Sequence, residues 1–296
     1  MAERTKTITV VAVTDNHYMV LLAALLKSIE ANIAADTKMD LWIVEDGVTK
    51  VNKGKLEKSR DAAVTSLHWK SVREVIPAGT KLPLDQSSWP LNIYMRLFIP
   101  YFIPEGVEKV LYLDVDMIVL KDLGALMQTD LKNNTIAAVL DPNVRTFDNS
   151  WGGVLNYQSL GFPGDTAYFN TGLLLIDLPK WRANNTTEKI LDCIHQNRKF
   201  ANFPDQYGLN IVLANKWLHL DTRWNHFATI DADAPFIIHF VQRKPIYKTY
   251  SNNVAYKDLF YHYLKLTEWR NVKPIGESKR YFKKVRNILN KVLKRK

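Results

Sequence analysis

Asp114 and Asp116 stand two residues apart in Val107-Glu-Lys-Val-Leu-Tyr-Leu-Asp-Val-Asp-Met-Ile-Val-Leu120, the most apolar continuous stretch of this 296-residue chain. Read as one strand, the stretch sends both carboxylates to the same side, because strand side chains alternate faces. Buried unpaired carboxylates are costly, and a divalent cation is one natural compensation. The spacing alone is weak evidence, since a second pair, Asp231-Ala-Asp233, reads as a solvated turn. The competing reading of the first pair is a strand that stops at Leu113 and leaves two exposed loop carboxylates. His239 follows the apolar run Phe236-Ile-Ile. Taken alone it reads as a structural histidine more readily than as a metal ligand.

The elements that must hold these residues follow from hydrophobic patterning. Lys6 to Thr14 is a β-branched run that predicts a buried strand, closed by turn chemistry at Asp15-Asn16-His17. Met19 to Ala31 predicts a helix and Met39 to Val44 a second strand. A polar helical stretch, Val51 to Ala63, then leads to a third strand, Ser66 to Val72. Ile136 to Leu140, Phe169 to Ile176 and Phe236 to Phe240 add buried strands, and Asp205 to Leu213 a short helix. Strands alternating with helices predict an α/β domain with a largely parallel sheet, whose ligands sit beyond the carboxyl ends of the strands. Gly152-Gly153, in the polar segment 143–166, suggests either a loop that closes over a ligand or an ordinary surface loop.

At this point the chain resembles family 8 retaining glycosyltransferases. Lys109 to Leu123 is similar to the family's K-V-L-Y-L-D-x-D-x-L-V-x-x-D-L segment. Pro90 to Pro100 resembles its Y-x-R-L-x-L-P helix, and Tyr168 to Arg182 its F-N-x-G-V-x-L-I-x-L-x-K-W-R segment. Asp205-Gln206 with Leu209-Asn210 resembles D-Q-D-x-L-N, Trp224-Asn225 the family's W-N, and His239 to Pro245 its H-Y-x-G-x-x-K-P. These blocks run in the family's order from about residue 8 to 248.

The resemblance implies a GT-A-like, Rossmann-type, mostly parallel sheet flanked by helices, a UDP-sugar donor and a divalent metal, Mn²⁺ or Mg²⁺. It implies Asp114, Asp116 and His239 as metal ligands, with Lys244 on the donor phosphates. Ala12, Thr14, Asn16 and His17 fall at the positions that contact uridine, Arg96 beside the metal and diphosphate, and Val115 among the residues that bind the nucleotide-sugar. Gln206 falls near the reacting face, and Asp205, Asp141 and Asn170 hold the donor sugar's hydroxyls. Without the family, Arg96 reads equally as a helix-surface charge, Lys244 as a solvated lysine, Asn170 as a turn residue and Asp141 as a strand-end cap. An amide is a poor nucleophile, so Gln206 favours front-face transfer over double displacement.

Four departures stand out. Thr14 replaces the family's Asp, and His17 its aromatic residue, often Tyr. Tyr207 replaces the second Asp of D-Q-D. Gln242 stands where the family has glycine, in a segment one residue shorter, and is expected not to let the backbone approach phosphate as glycine does.

The net charge of +10 lies in the last stretch. Arg270 to Lys296 carries eleven basic residues and one acid, Glu277, while the remaining basic and acidic residues balance. Tyr281, Phe282, Val285, Ile288, Leu289, Val292 and Leu293 recur there at helical spacing between cations. Such a helix suits an anionic membrane surface. A docked helix with a solvated outer face competes with that reading, and nucleic acid is not expected. Residues 1–268 are therefore expected to form a catalytic domain and 269–296 a membrane-surface tail. The single cysteine, Cys193, forbids an internal disulfide and fits a reducing compartment. Met1 to Lys6 lacks signal-peptide character. The expectation is a cytoplasmic enzyme, peripheral at the inner face of the membrane, that uses a UDP-hexose and a glycan or glycolipid acceptor. A nucleotidyl- or phosphotransferase using the same aspartates and a nucleotide-sugar-binding scaffold without turnover are the alternatives; no P-loop pattern supports the former.

Overall fold

The structure is a computed structural model and describes residues 6–83, 90–276 and 278. The chain opens with β1 (Lys6–Asp15), α1 (Met19–Asn32), β2 (Thr37–Asp46), α2 (Lys50–Ser59), β3 (Thr65–Ser71) and the short α3 (Val72–Val75). A 3-10 segment (Leu91–Phe98) and the short α4 (Ile99–Phe102) lead to β4 (Lys109–Leu113), β5 (Met117–Val119), α5 (Leu123–Met127) and β6 (Ile136–Leu140). After a long connection come β7 (Phe169–Asp177), α6 (Leu178–Ala183), α7 (Thr186–Gln196) and α8 (Pro204–Val212). The short strands β8 (Trp217–His219), β9 (His226–Phe227) and β10 (Ile237–His239), then α9 (Val254–Lys265), complete the order.

Seven strands form the main sheet in the order β3-β2-β1-β4-β7-β6-β8, and β7 alone runs against the rest. The apolar runs are buried on both faces, which is why their sequences do not alternate with polar residues. Val10, Ala12, Leu111, Leu113, Leu173 and Leu175 face the core under α1 and α9. Their neighbours Val11, Val13, Val110, Tyr112, Leu174 and Ile176 face the opposite core with Tyr94, Phe98 and Trp181. The mostly parallel α/β architecture expected from the sequence is present.

The expected single strand over 107–120 breaks at the aspartates. Asp114 N still donates to Gly172 O at 2.8 Å, but the chain then leaves the main sheet. Met117–Val119 joins β10 antiparallel in a second, three-stranded sheet ordered β5-β10-β9. Continued as a regular strand, the segment would carry both carboxylates onto one apolar face. The break turns them toward cationic and imidazole partners instead.

Strand β5 lies at the edge of its sheet, and α1 satisfies its outward groups. Val119 N donates to the buried Ser28 Oγ at 2.9 Å, and Asn32 Nδ2 donates to Val119 O at 3.1 Å. Past the expected boundary at 268, Trp269 is buried and Ile275 N donates to Ile246 O at 2.8 Å. Residues 277 and 279–296, which hold the apolar and cationic repeat of the tail, lie outside the described residues. Among the described residues no helix is long and apolar enough to cross a membrane.

Because Ser28 is the acceptor for a buried N–H, Ser28→Ala is expected to destabilise the fold by about 1–3 kcal/mol, the cost of an unsatisfied buried donor. Urea unfolding measures this; a variant as stable as the parent contradicts the role given to Ser28.

Candidate active site

The carboxyl ends of β1, β4 and β6 meet the amino end of the antiparallel β7 at one rim of the sheet. Topology thus brings Asp15, Asp114, Asp141 and Asn170 to a common edge, where open α/β sheets place ligands.

The carboxylates there are compensated by the protein itself. Arg96 is 7% exposed, its Nη2 lying 3.2 Å from Asp114 Oδ1 and its Nε 3.2 Å from Asp205 Oδ2. Its Nη1 donates to Thr171 O, and the guanidinium sits over the Tyr112 ring. Burial opposes the charged guanidinium, but Asp114, Tyr112 and Asp205 outweigh it and hold its pKa above the ordinary value. Arg96 is therefore a buried site residue, not a surface charge. Burial raises the Asp205 carboxyl against the pull of Arg96. For Asp116, burial acts upward too, yet Lys244 and His239 prevail and hold the carboxyl well below the carboxylate range. Lys244 donates to both Asp116 Oδ2 and Phe240 O.

His239 faces both members of the acidic pair, its Nε2 lying 3.5 Å from Asp116 Oδ1 and 3.8 Å from Asp114 Oδ2. One ligand atom from each of the three residues lies within 4.8 Å of the others, a set that could hold a metal ion. Two carboxylates and an imidazole suit a divalent cation of intermediate hardness. Gly172 makes room for the ring: a Cβ there would come within 2.5 Å of His239 Cε1.

A chain of side-chain amides orients the imidazole. The Gly172 N–H can only donate, and it donates to Asn170 Oδ1 at 2.9 Å. That oxygen also accepts from Asn225 Nδ2 at 2.9 Å, which leaves Asn225 Oδ1 2.9 Å from His239 Nδ1. In the neutral ring Nδ1 must then carry the proton, and Nε2 presents its lone pair to the carboxylates. In the other direction, Asn170 Nδ2 donates to Asp141 Oδ2 at 3.0 Å. The other Asp141 oxygen caps the turn by accepting from Asn143 N and Val144 N.

Helix α8 delivers Asp205 and Gln206 from its first turn. Asn210 fixes it to β7 by accepting from Phe169 N and donating to Phe169 O. Gln206 Oε1 accepts from Thr171 N at 3.1 Å and Thr171 Oγ1 at 3.2 Å. Tyr207 is buried, and its hydroxyl donates to Asn156 Oδ1 at 2.6 Å, fastening segment 143–166. The Tyr168 hydroxyl is buried beside Gln206 and Asp141.

The positions expected to meet a nucleoside differ in access. Ala12 is fully buried, and Thr14, 1% exposed, donates to Asp15 O. Asn16 Oδ1 is committed to Thr49 N and Asn52 Nδ2. His17 is half-buried, with Nε2 3.0 Å from the Tyr247 hydroxyl. Val115 is buried between the two aspartates. Burial, Tyr247 and Asp116 push the Tyr18 phenol far up, which marks Tyr18 as a neighbour of the acidic cluster. Sequence reasoning assigned no site role to Asn225, Thr171, Tyr168, Tyr18 or Tyr247. The Tyr168–Arg182 and Trp224-Asn225 blocks carried signals that could have found Tyr168, Thr171 and Asn225.

This arrangement is the GT-A fold. The structure matches that of galactosyltransferase LgtC, solved with donor and acceptor sugar analogs, with a TM-score of 0.73 at 23% identity, covering 88% of this chain and 96% of that one. The bifunctional glycosyltransferase WbbM gives 0.74 at 23% identity, over 90% of this chain and 50% of that one. A family model for Glycosyl transferase family 8 matches residues 9–274, and the chain belongs to that family. General stress protein A of Bacillus subtilis is 26% identical over 289 residues, 89% of this chain and 95% of that protein. Glycosyltransferase GlyF of Streptococcus pneumoniae is 27% identical over 82% of this chain. Lipopolysaccharide 1,2-glucosyltransferase of Escherichia coli K12 is 27% identical over 68% of this chain. The chain spans 58% of GlyF and 55% of the glucosyltransferase.

Gln242, which stands where the family has glycine, has a backbone of its own to explain. It adopts φ +60°, the left-handed conformation that glycine favours, so the turn keeps a glycine-like backbone despite the substitution. The side chain is exposed and the local strain is borne by the turn. Gln242→Gly is therefore expected to stabilise the protein by roughly 0.5–1 kcal/mol, and Gln242→Val to destabilise it by about 1–2 kcal/mol. Chemical denaturation of the two variants checks the sign; a destabilised glycine variant contradicts the strained turn.

Proposed function

We propose that the chain is a metal-assisted, retaining glycosyltransferase that moves a hexose from a UDP-sugar to a glycan or glycolipid acceptor. The observation that carries this reading is the amide chain, which ties a pocket of polar sugar-binding groups to a three-residue metal-ligand set. A divalent cation, Mn²⁺ or Mg²⁺, held by Asp114, Asp116 and His239 would supply Lewis-acid stabilisation of the departing diphosphate. The chain's own residues do the rest. Lys244 leaves Asp116 and meets the donor phosphates, while Arg96 holds Asp114 and Asp205 in place. His17 and Asn16 lie on the nucleoside side, with Ala12, Thr14 and Val115 forming the buried floor behind them. Asp141, Asn170 and Asp205 hold the sugar hydroxyls.

Gln206 supports front-face transfer. Its oxygen is bonded to Thr171, and the neighbouring carboxylates are engaged, Asp205 with Arg96 and Asp141 with Asn170 and two backbone amides. None is left as an unpaired nucleophile, and Gln206 instead orients the donor and stabilises charge at the anomeric carbon. Two observations weigh against a scaffold without turnover. Tyr207 serves the packing of segment 143–166, and Gln242 keeps the glycine-like turn. The basic sequence of the tail supports work at an anionic membrane surface on the cytoplasmic side.

Incubation with a panel of UDP-sugars and Mn²⁺ should release UDP for at least one donor. Asp114→Asn/Asp116→Asn should lower that rate by about a hundredfold or more, since the metal's contribution is several kcal/mol. Undiminished release in the double variant refutes the metal assignment, and no release from any donor refutes the transferase reading. Separately, Asn225→Ala should weaken Mn²⁺ binding, followed by electron paramagnetic resonance, by about 10–100-fold through loss of imidazole orientation. Unchanged affinity removes the amide chain from the account.

A further inference from the structure

Trp151 is 62% exposed, and its ring rests on Phe203, with centroids 5.5 Å apart. A large indole left open to water is costly, and exposed aromatic surface beside a site commonly marks recognition. The fold holds this one firmly. Trp151 N and Gly152 N both donate to Asn149 Oδ1 at 3.1 Å, and Gly153 N donates to Asn149 O at 2.9 Å. A Cβ at Gly153 would lie 2.4 Å from Phe147 O, a backbone atom that cannot swing away, so the turn that presents the indole requires glycine. The loop expected from Gly152-Gly153 is thus tightly bonded, with Val154 N on Phe147 O and Phe147 N on Thr166 O.

The indole's location ties it to the reacting groups from two sides. Its segment starts at Asp141, whose carboxylate caps the turn through Asn143 and Val144. Phe203, on which it leans, immediately precedes α8 and lies two residues before Asp205 and three before Gln206. Leu155, 46% exposed, extends the apolar surface on the same segment. A Cβ at Gly152 would lie 3.0 Å from Val144 Cγ2 and 3.3 Å from Phe203 Cε2, so the turn that carries the indole packs against both the Asp141 turn and the approach to α8.

We propose that Trp151, backed by Phe203, is a stacking platform for a pyranose ring of the acceptor. One face of a β-linked pyranose presents axial C–H groups polarised by the ring oxygens, and these fit the electron-rich face of an indole. The hydroxyls at the ring's edge stay free to reach the polar groups of the pocket. A rigid aromatic gives this contact at low entropic cost, because few rotamers are lost. This inference rests on the glycosyl-transfer reading of the site, and it commits to a saccharide as the occupant.

The test uses the full chain, Trp151→Ala and Trp151→Phe, with methyl β-glucoside, methyl β-galactoside, cellobiose and lactose as probes. Saturation-transfer NMR on the parent should place the strongest signals on the axial C–H protons of one ring face. In Trp151→Ala these signals should vanish. The acceptor KM should rise, and the ratio of transfer to hydrolysis fall, by about tenfold or more, the scale of removing an aromatic anchor. Trp151→Phe should recover most of both. The platform is overturned if no saccharide in the panel binds the parent, or if Trp151→Ala binds and transfers within twofold of it. It is equally overturned if the substitution spares saccharide binding but abolishes sedimentation with anionic vesicles, which makes the indole a lipid contact. Saccharide binding without UDP release from any donor retains the platform while failing the transferase reading, so the two are separable.

Discussion

A single backbone N–H sets the polarity of this site. Gly172 N can only donate, and by donating to Asn170 Oδ1 it decides which end of every following amide faces which neighbour. Asn225 must donate to Asn170, its oxygen must face His239, and the neutral imidazole must hold its single proton on Nδ1, away from Asp114 and Asp116. Gly172 also leaves the space the ring occupies, so one residue serves both orientation and fit. The same Asn170 side chain reaches Asp141, which joins Asp141 and the cluster of Asp114, Asp116 and His239 in one bonded unit. Such buried networks are demanding, because a partly satisfied one costs more than an apolar core.

The charge balance follows the same economy. Five carboxylates, Asp15, Asp114, Asp116, Asp141 and Asp205, crowd the rim, and the protein answers with Arg96 between Asp114 and Asp205 and with Lys244 on Asp116. The site therefore need not wait for a metal to be foldable, and a cation entering it must compete with the Lys244 ammonium.

Much of the frame was legible in the residues. β-Branched and apolar runs such as Lys6 to Thr14 and Met39 to Val44 predict buried strands because both faces of the sheet are covered, and the structure places β1 and β2 there. The break at Asp114 was not legible, since periodicity within a segment does not report a change of sheet. Arg96 could be read as a surface charge because its burial depends on Asp205, far along the chain. Asn225 acts across 55 residues, and no local pattern reveals such a contact. The left-handed backbone at Gln242 was not legible either, because composition reports which residues favour that conformation, not which are held in it. The ordered family blocks carried the rest, by placing distant residues in one site at once.

The most direct test is the proton on His239. Long-range ¹H–¹⁵N correlation spectra of histidine-labelled protein, at a pH where the ring is neutral and without added metal, distinguish the two tautomers. The account predicts His239 protonated on Nδ1, with that signal shifting toward the Nε2-protonated form in Asn225→Ala. A ring protonated on Nε2 in the parent protein would contradict it.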